Sequence, residues 1–249
     1  MALKYAAVGR CIYCHASDVP LSLEHVIPFG LSGDFELPQA SCEACARATS
    51  AFEAYCLQKM LIHPRLKLNL KTRRPKKRPK TLTAGIFDKS GGFSPRDVDV
   101  EEYPITIALP QFGYPAALLG GEKTNGILCT GVGLHFNEKW QANQTLFGNG
   151  TAYYAPFEPS AFCKLLCKIA LGFTVGECGS TDFDTQLPKA IVGRSGDECH
   201  FVGSDPFDYP AAEELHTVQL RNIGGWRVCS VRLFAKYGAT PYLVVVGRA

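Results

Sequence analysis

The sequence lacks the features of a secreted or membrane-embedded protein. Its first residues, MALKYAAVGRC, contain no apolar core of about seven residues followed by a small-residue cleavage site. No uncharged apolar run reaches the roughly 20 residues that a bilayer-spanning helix needs. The 249 residues are 46% hydrophobic and 20% charged, which is typical of a globular chain. We therefore expect a folded, cytoplasmic protein with no membrane partner.

Several catalytic motifs are missing as well. Residues 81–249 contain no phosphate-binding glycine motif, no serine nucleophile elbow and no second metal-ligand spacing. The chain has eleven cysteines, an odd number, and no secretion signal. Reduced thiols and metal ligands therefore fit the cysteine content better than a disulfide framework does.

Positive charge is concentrated in one stretch. The net charge is only +3, yet residues 64–80 contain nine Lys or Arg and no acidic residue. The rest of the sequence has 17 basic and 23 acidic residues. This uneven distribution predicts a polyanionic partner. The nine cations are Arg65, Lys67, Lys71, Arg73, Arg74, Lys76, Lys77, Arg78 and Lys80.

The N-terminal pattern predicts a short strand, a loop and a helix. Apolar residues around Val26 precede Pro28, and residues 30–34 are typical of a turn. The sequence after Cys45 has helical spacing, and we expect that helix to end before Pro64. Residues 64–80 then form a basic linker with an extended path.

The remainder, residues 81–249, predicts mostly antiparallel strands with at least one helix. Glycine, proline and asparagine break the strand-like runs, and an apolar helical stripe starts at Pro159 and stops near Gly179. Residues 226–235 and 242–248 predict a terminal antiparallel pair of strands. The fold class is therefore α+β, with a metal-bound module at 1–63. The role of residues 81–249 stays open between recognition, oligomerisation and regulation.

Two C-x2-C pairs carry the strongest chemical signal. Each pair can form a compact knuckle that presents both sulfurs to one zinc ion. The 27 residues between Cys14 and Cys42 exceed the usual zinc-ribbon gap, so a further element is expected between the knuckles. The predicted structural zinc ligands are Cys11, Cys14, Cys42 and Cys45.

Glu24 and His25 lie inside that gap, followed by Val-Ile-Pro. A carboxylate can bind a hard divalent cation, and a neutral imidazole can take a proton from water. A histidine beside an apolar strand is more often a structural group, so the pair gains meaning only from the cysteine pairs around it.

The combination of CIYC, EHVIP and CEAC, covering residues 11–56, resembles zinc-containing HNH endonucleases. That resemblance implies a ββα-metal finger in which His25 activates the attacking water. It also implies one catalytic Mg²⁺ or Mn²⁺ ion that stabilises the pentavalent phosphate, with Glu24 as a ligand. Such an ion would be distinct from the structural zinc.

The chain departs from the family pattern on the helix. Many members have Asn after the last cysteine, whereas this chain has Ala46 and, one turn later, Thr49 or Ser50. Glu53 shares a helix face with Thr49 and could complete an oxygen-rich site with Glu24. The alternatives are a solvated Glu53, a locally hydrogen-bonded Thr49, and a finger that does not cleave. An exposed His15 is favoured over a zinc ligand or a phosphate contact.

We therefore expect a metal-dependent endonuclease that nicks or cleaves DNA, with RNA not excluded. One finger carries one active centre, so cutting both strands needs a homodimer or two successive nicks. A role in defence follows from the family resemblance alone. The rival hypotheses are a non-catalytic zinc-finger nucleic-acid-binding protein and a structural or signalling finger. The expected phosphate contacts are Arg73, Arg74, Lys76, Lys77 and Arg78.

Overall fold

The computed structural model describes most of the chain and shows a mixed α/β protein with several antiparallel sheets. The described residues are 3–87, 92–102, 106–122, 126–136, 151–152, 157–193 and 196–249. No helix in these ranges is long and apolar enough to cross a membrane.

The N-terminal part consists of a small sheet followed by a helix. Strand β1 (Leu3–Lys4) pairs in parallel with β3 (Phe35–Cys42), and β2 (Leu21–His25) pairs with β3 in antiparallel fashion. Helix α1 (Glu43–Tyr55) starts directly after β3. The predicted strand and turn before α1 are confirmed, although the strand ends at His25, earlier than Ile27.

The turn between β2 and β3 has little space. A Cβ atom added at Gly33 would lie 2.3 Å from the carbonyl oxygen of Ile27, so only glycine fits there without a backbone shift. Ser32 has a φ of 62°, which lies in the left-handed region. This turn sets the position of the β2 end, where Glu24 and His25 lie.

The expectation that the helix after Cys45 ends before Pro64 is wrong in one respect. A π-helical turn (Cys56–Met60) follows α1, and a second helix, α2 (Ile62–Lys67), contains Pro64. Proline is tolerated in a first turn because the N–H it lacks has no intrahelical partner there. The rest of the basic segment leaves the helix, with one 3-10 turn at Pro75–Lys77.

Short antiparallel sheets follow the basic segment. In the first, β4 (Thr81–Phe87) lies between β5 (Phe93–Asp99) and β8 (Thr151–Ala152). In the second, β6 (Thr106–Phe112) pairs with β7 (Cys129–Phe136).

Helix α3 (Pro159–Cys178) runs through the centre of the protein. Its start is capped by Glu158, whose side chain accepts hydrogen bonds from the next backbone N–H groups, and it ends at Gly179 with a φ of 64°. Both predicted ends are confirmed. The helix is buried on every side from Ala161 to Val175. It is therefore more buried than the single apolar stripe in its sequence predicts.

The C-terminal part completes the core. Two short helices, α4 (Leu187–Val192) and α5 (Glu198–Phe201), precede β9 (Val202–Ser204). A four-stranded sheet has the order β10 (Thr217–Ile223), β11 (Trp226–Arg232), β12 (Tyr242–Arg248) and β9. The predicted terminal antiparallel pair is β11 and β12, and it is confirmed.

One continuous apolar cluster contains residues from both predicted folded regions. Val26 and Leu37 of the N-terminal hairpin pack near Gly172 of α3, and both belong to the same buried cluster as Val244 of β12. The division at residues 63 and 81 stays a prediction.

His216 links the two ends of the chain. Its Nε2 lies 2.8 Å from the carbonyl oxygen of Leu31, and its Nδ1 lies 3.0 Å from the backbone N of Phe234. Because the Phe234 N–H donates to Nδ1, the ring must be neutral and carry its proton on Nε2. Burial lowers the pKa of His216 to about 4, and the hydrogen bond to Leu31 opposes this shift.

We predict that stability falls in mild acid partly because of His216. An unfolded histidine has a pKa of about 6.5, so below that pH the unfolded state takes up a proton that the folded state resists. The contribution is present above about pH 6.5 and declines as the pH falls towards 4, by roughly 3 kcal/mol. Urea unfolding at several pH values should show a smaller acid loss in His216→Gln than in wild type. The matched control is His15→Asn at an exposed histidine, and equal losses in all three proteins would contradict the prediction.

Candidate functional site

Four cysteines form a cluster that could hold a metal ion. Their sulfur atoms all lie within 4.8 Å of one another, and they are Cys11, Cys14, Cys42 and Cys45. Among the described residues no other group of three or more histidine, cysteine or acidic side chains has this geometry. The prediction that the two C-x2-C pairs meet at one site is confirmed.

Local structure brings the two pairs together. Cys11 and Cys14 lie in the loop before β2, whereas Cys42 ends β3 and Cys45 lies in the first turn of α1. Cys14 Sγ lies 3.6 Å from Cys42 Sγ. A hydrogen bond from the Cys45 backbone lowers the pKa of Cys42 to about 7, which favours the thiolate form that binds metals.

His25 lies at the end of β2, opposite Glu36 in the β2–β3 register. Its Nδ1 is 3.9 Å from Glu36 Oε1, a distance too long for a hydrogen bond. Burial lowers the pKa of His25, as do the charges of Lys168 and Arg73, while Glu36 raises it. The imidazole is therefore predominantly neutral at pH 7, as general-base chemistry requires.

Glu24 and Glu53, the residues predicted to bind a catalytic ion, do approach each other. Both contact the ammonium of Lys168 in α3: Glu24 Oε1 is 2.7 Å from Lys168 Nζ, and Glu53 Oε1 forms a second salt bridge with it. Lys168 Nζ also donates to the His25 carbonyl oxygen at 2.6 Å. Sequence patterns did not identify Lys168.

The Lys168 side chain is only 1% exposed, yet it stays charged. Burial alone would lower its pKa, but the charges of Glu24 and Glu53 and the hydrogen bonds to both outweigh that effect and raise it. Buried Tyr13 lies beside the same carboxylates, and burial together with their negative charges raises its pKa well above the usual value.

The two glutamates do not fit the predicted divalent ion as they stand. The position between their carboxylates is taken by a lysine ammonium that is tethered to the core. A Mg²⁺ or Mn²⁺ ion held there stays a prediction, and no chemical step is derived through it.

Part of the basic segment lies beside His25. The Phe29 ring centroid is 5.7 Å from that of His25, and both Lys71 Nζ and the Arg73 guanidinium lie 5.9 Å from the Phe29 centroid. Lys71 also pairs with Asp34 at 2.9 Å, whereas Arg73 forms no salt bridge with any residue that the structure describes. Arg73 therefore presents an exposed, uncompensated charge near the imidazole.

Seven of the nine cations of residues 64–80 fall into a hydrogen-bonded group and an exposed group. Arg65 donates to the carbonyl oxygens of Gly30 and Leu57, and Lys67 donates to that of Glu101. The predicted phosphate ligand Arg78 donates to Asn69 and Leu70, and it is only partly exposed. The other predicted phosphate ligands are exposed, and they are Arg73, Arg74, Lys76 and Lys77.

Two further details refine the predicted helix side of the site. The Thr49 hydroxyl donates to the carbonyl oxygen of Ala46, which is the local backbone contact that was one of the alternatives. His15 is exposed, as favoured.

Lys168 could have been noticed from its position, because a lysine inside a helix that is apolar on several sides needs an anionic partner in the core.

No family model matches the chain, and neither a curated protein nor a solved structure matches it. The resemblance to HNH endonucleases therefore rests on the motif residues between 11 and 56.

We predict that the purified protein carries about one tightly bound metal ion per chain. Replacing Cys45 by Ser should remove that ion and lower the melting temperature, because a thiolate ligand cannot be replaced by a hydroxyl at such a site. Metal analysis and thermal unfolding measure the two effects. Cys178→Ser is the matched control, since Cys178 is exposed and lies outside the cluster. A metal-free wild-type protein would contradict the four-cysteine site.

Proposed function

We propose that this protein is an HNH-type endonuclease that hydrolyses phosphodiester bonds in DNA, with His25 as the general base. The observation that supports this most directly is a neutral imidazole beside an exposed arginine, on a hairpin joined to a helix by a four-cysteine cluster. The order of β2, β3 and α1 agrees with the ββα arrangement that the resemblance implies.

His25 is suited to accept a proton from water. Because Nδ1 is buried, the base acts through Nε2. As the proton passes to His25, the hydroxide forms a bond to phosphorus, the bond to the 3′ or 5′ oxygen breaks, and that oxygen leaves as an alkoxide that takes a proton from solvent water. The imidazolium that results is stabilised by Glu36, whose carboxylate already lies 3.9 Å from the other ring nitrogen.

Arg73 and its neighbours supply the positive charge that a phosphodiester needs. A guanidinium can donate two parallel hydrogen bonds to phosphate oxygens. Arg74, Lys76 and Lys77 extend the basic surface along the chain from this point, so they would contact neighbouring phosphates. Such contacts position the backbone and carry no sequence preference.

The metal in the cysteine cluster is proposed to be zinc with a structural role. Four thiolates form a closed tetrahedral set that leaves no position for water or substrate. Zinc would hold the loop before β2 against the start of α1, and so keep the β2 end in place. The predicted Mg²⁺ or Mn²⁺ ion has no role in the steps above.

A second function is favoured by one observation. Lys168 neutralises the two glutamates predicted to bind a catalytic ion. A finger of this kind could bind nucleic acid through its basic surface without cutting it. The same protein preparation distinguishes the two functions, because binding without cleavage supports the second.

We predict that the protein nicks supercoiled plasmid and that His25→Ala slows the reaction at least about 100-fold, since general bases contribute on the order of 10²-fold or more. Nicking is followed on agarose gels with and without added Mg²⁺ or Mn²⁺. The matched control is His15→Asn, a change at an exposed histidine with a positive φ that asparagine tolerates.

The control variant should cut at the wild-type rate. If wild type cuts no faster than His25→Ala under any of these conditions, the nuclease proposal is wrong. Retained DNA binding in that case would support the non-catalytic alternative.

We predict that the basic segment sets the salt dependence of DNA binding. Replacing Arg73 and Arg74 by Gln should weaken DNA binding and reduce the slope of log K against log salt by about 1 to 2. The reason is that a cation that no longer contacts a phosphate no longer releases counterions from the DNA. The matched control replaces Lys189 and Lys236, two exposed lysines elsewhere, by Gln. Equal slopes for both double variants would contradict a phosphate-binding role for the segment.

A further inference from the structure

Three oxygen atoms surround the ammonium of Lys168. They are Oε1 of Glu24, Oε1 of Glu53 and the carbonyl oxygen of His25. The ammonium donates a hydrogen bond to the carbonyl oxygen and forms salt bridges with both carboxylates. Two carboxylates and a carbonyl are also the ligands that a hard divalent cation selects.

We propose that Lys168 is a resident cation that takes the place of a divalent metal ion between Glu24 and Glu53. In the native protein these carboxylates therefore bind no divalent ion, and the cysteine cluster is the one tight metal site that the described residues form. Removal of the ammonium should convert the position into a divalent-cation site.

The tether explains why the ammonium holds this position against ions from solution. Lys168 lies in the middle of α3, and its neighbours Cys167 and Ile169 are fully buried. An incoming ion would have to push the ammonium away from its carboxylates. The displaced ammonium would then meet apolar side chains of the core instead of anionic partners. A covalently held cation also competes at a high effective concentration.

Lys168 does not reach the surface, so it is a positioning residue. Its hydrogen bond to the His25 carbonyl ties the end of β2 to α3. This part of the inference rests on the proposed function. Hydrolysis at His25 would take place with an ammonium, and not a metal ion, bound to the carbonyl oxygen of the histidine. The metal-binding part does not depend on any activity.

The test is a Mn²⁺ titration of the full-length protein with its cysteine cluster loaded, with free Mn²⁺ followed by electron paramagnetic resonance. Wild type and Glu24→Gln should bind Mn²⁺ equally weakly. Lys168→Ala should bind it at least tenfold more tightly, and Lys168→Ala combined with Glu24→Gln should lose that gain. Glu43→Gln, which removes an exposed carboxylate of α1, is the matched control and should change none of these affinities.

Wild-type Mn²⁺ affinity that falls tenfold or more in Glu24→Gln would overturn the proposal, because the carboxylates would then hold an ion despite Lys168. This comparison does not require the Lys168 variant to fold. A folded Lys168→Ala protein that binds Mn²⁺ no better than wild type, and whose melting temperature Mn²⁺ does not raise, would overturn it as well. Because the readout is binding, it remains decisive even if the protein cuts no plasmid.

Discussion

The buried ammonium of Lys168 joins three elements that are distant in the sequence, namely β2, α1 and α3. A charge in the core is tolerated only when it is paired. Here the ammonium of Lys168 and the carboxylates of Glu24 and Glu53 neutralise one another. Removing one member of a buried ion pair costs about 3 to 5 kcal/mol, because the remaining charge has no counterion. The position of the histidine-bearing hairpin on the central helix therefore depends on this contact.

The same contact separates two electrostatic environments along β2. Adjacent strand residues point to opposite faces, so Glu24 faces Lys168 while the next side chain faces Phe29 and the basic segment. The inner face contains a closed set of charges that solvent hardly reaches. The outer face presents a neutral imidazole next to Phe29, whose ring lies under Arg73, an arrangement suited to an anionic ligand. One strand therefore provides both environments.

Two interactions of different kind organise the N-terminal region: a four-cysteine cluster that could hold a metal ion, and the Lys168 ammonium. The cysteine cluster lies within the first 45 residues, and short-range spacing forms each of its two C-x2-C knuckles. Lys168 acts over a long range, from a helix 143 residues away from the carbonyl oxygen that it binds. The cysteine cluster can form whenever the two knuckles meet, whereas the Lys168 contact requires the central helix to be packed in place. A shared apolar core, from Val26 to Val244, accompanies the second contact.

The sequence by itself determined the features that depend on local chemistry. The two C-x2-C knuckles, the limits of α3 at Pro159 and Gly179, and the β11–β12 pair follow from ligand spacing, capping and alternation. Only the tertiary structure decided what lies opposite each charged side chain. Glu24 and Glu53 were predicted to bind a metal ion, but packing places Lys168 between them. Pro64 is acceptable in α2 because the preceding helix had already ended, which depends on packing rather than on proline itself. Long-range contacts of this kind are set by the fold, because no local pattern records which distant residue will meet a given side chain.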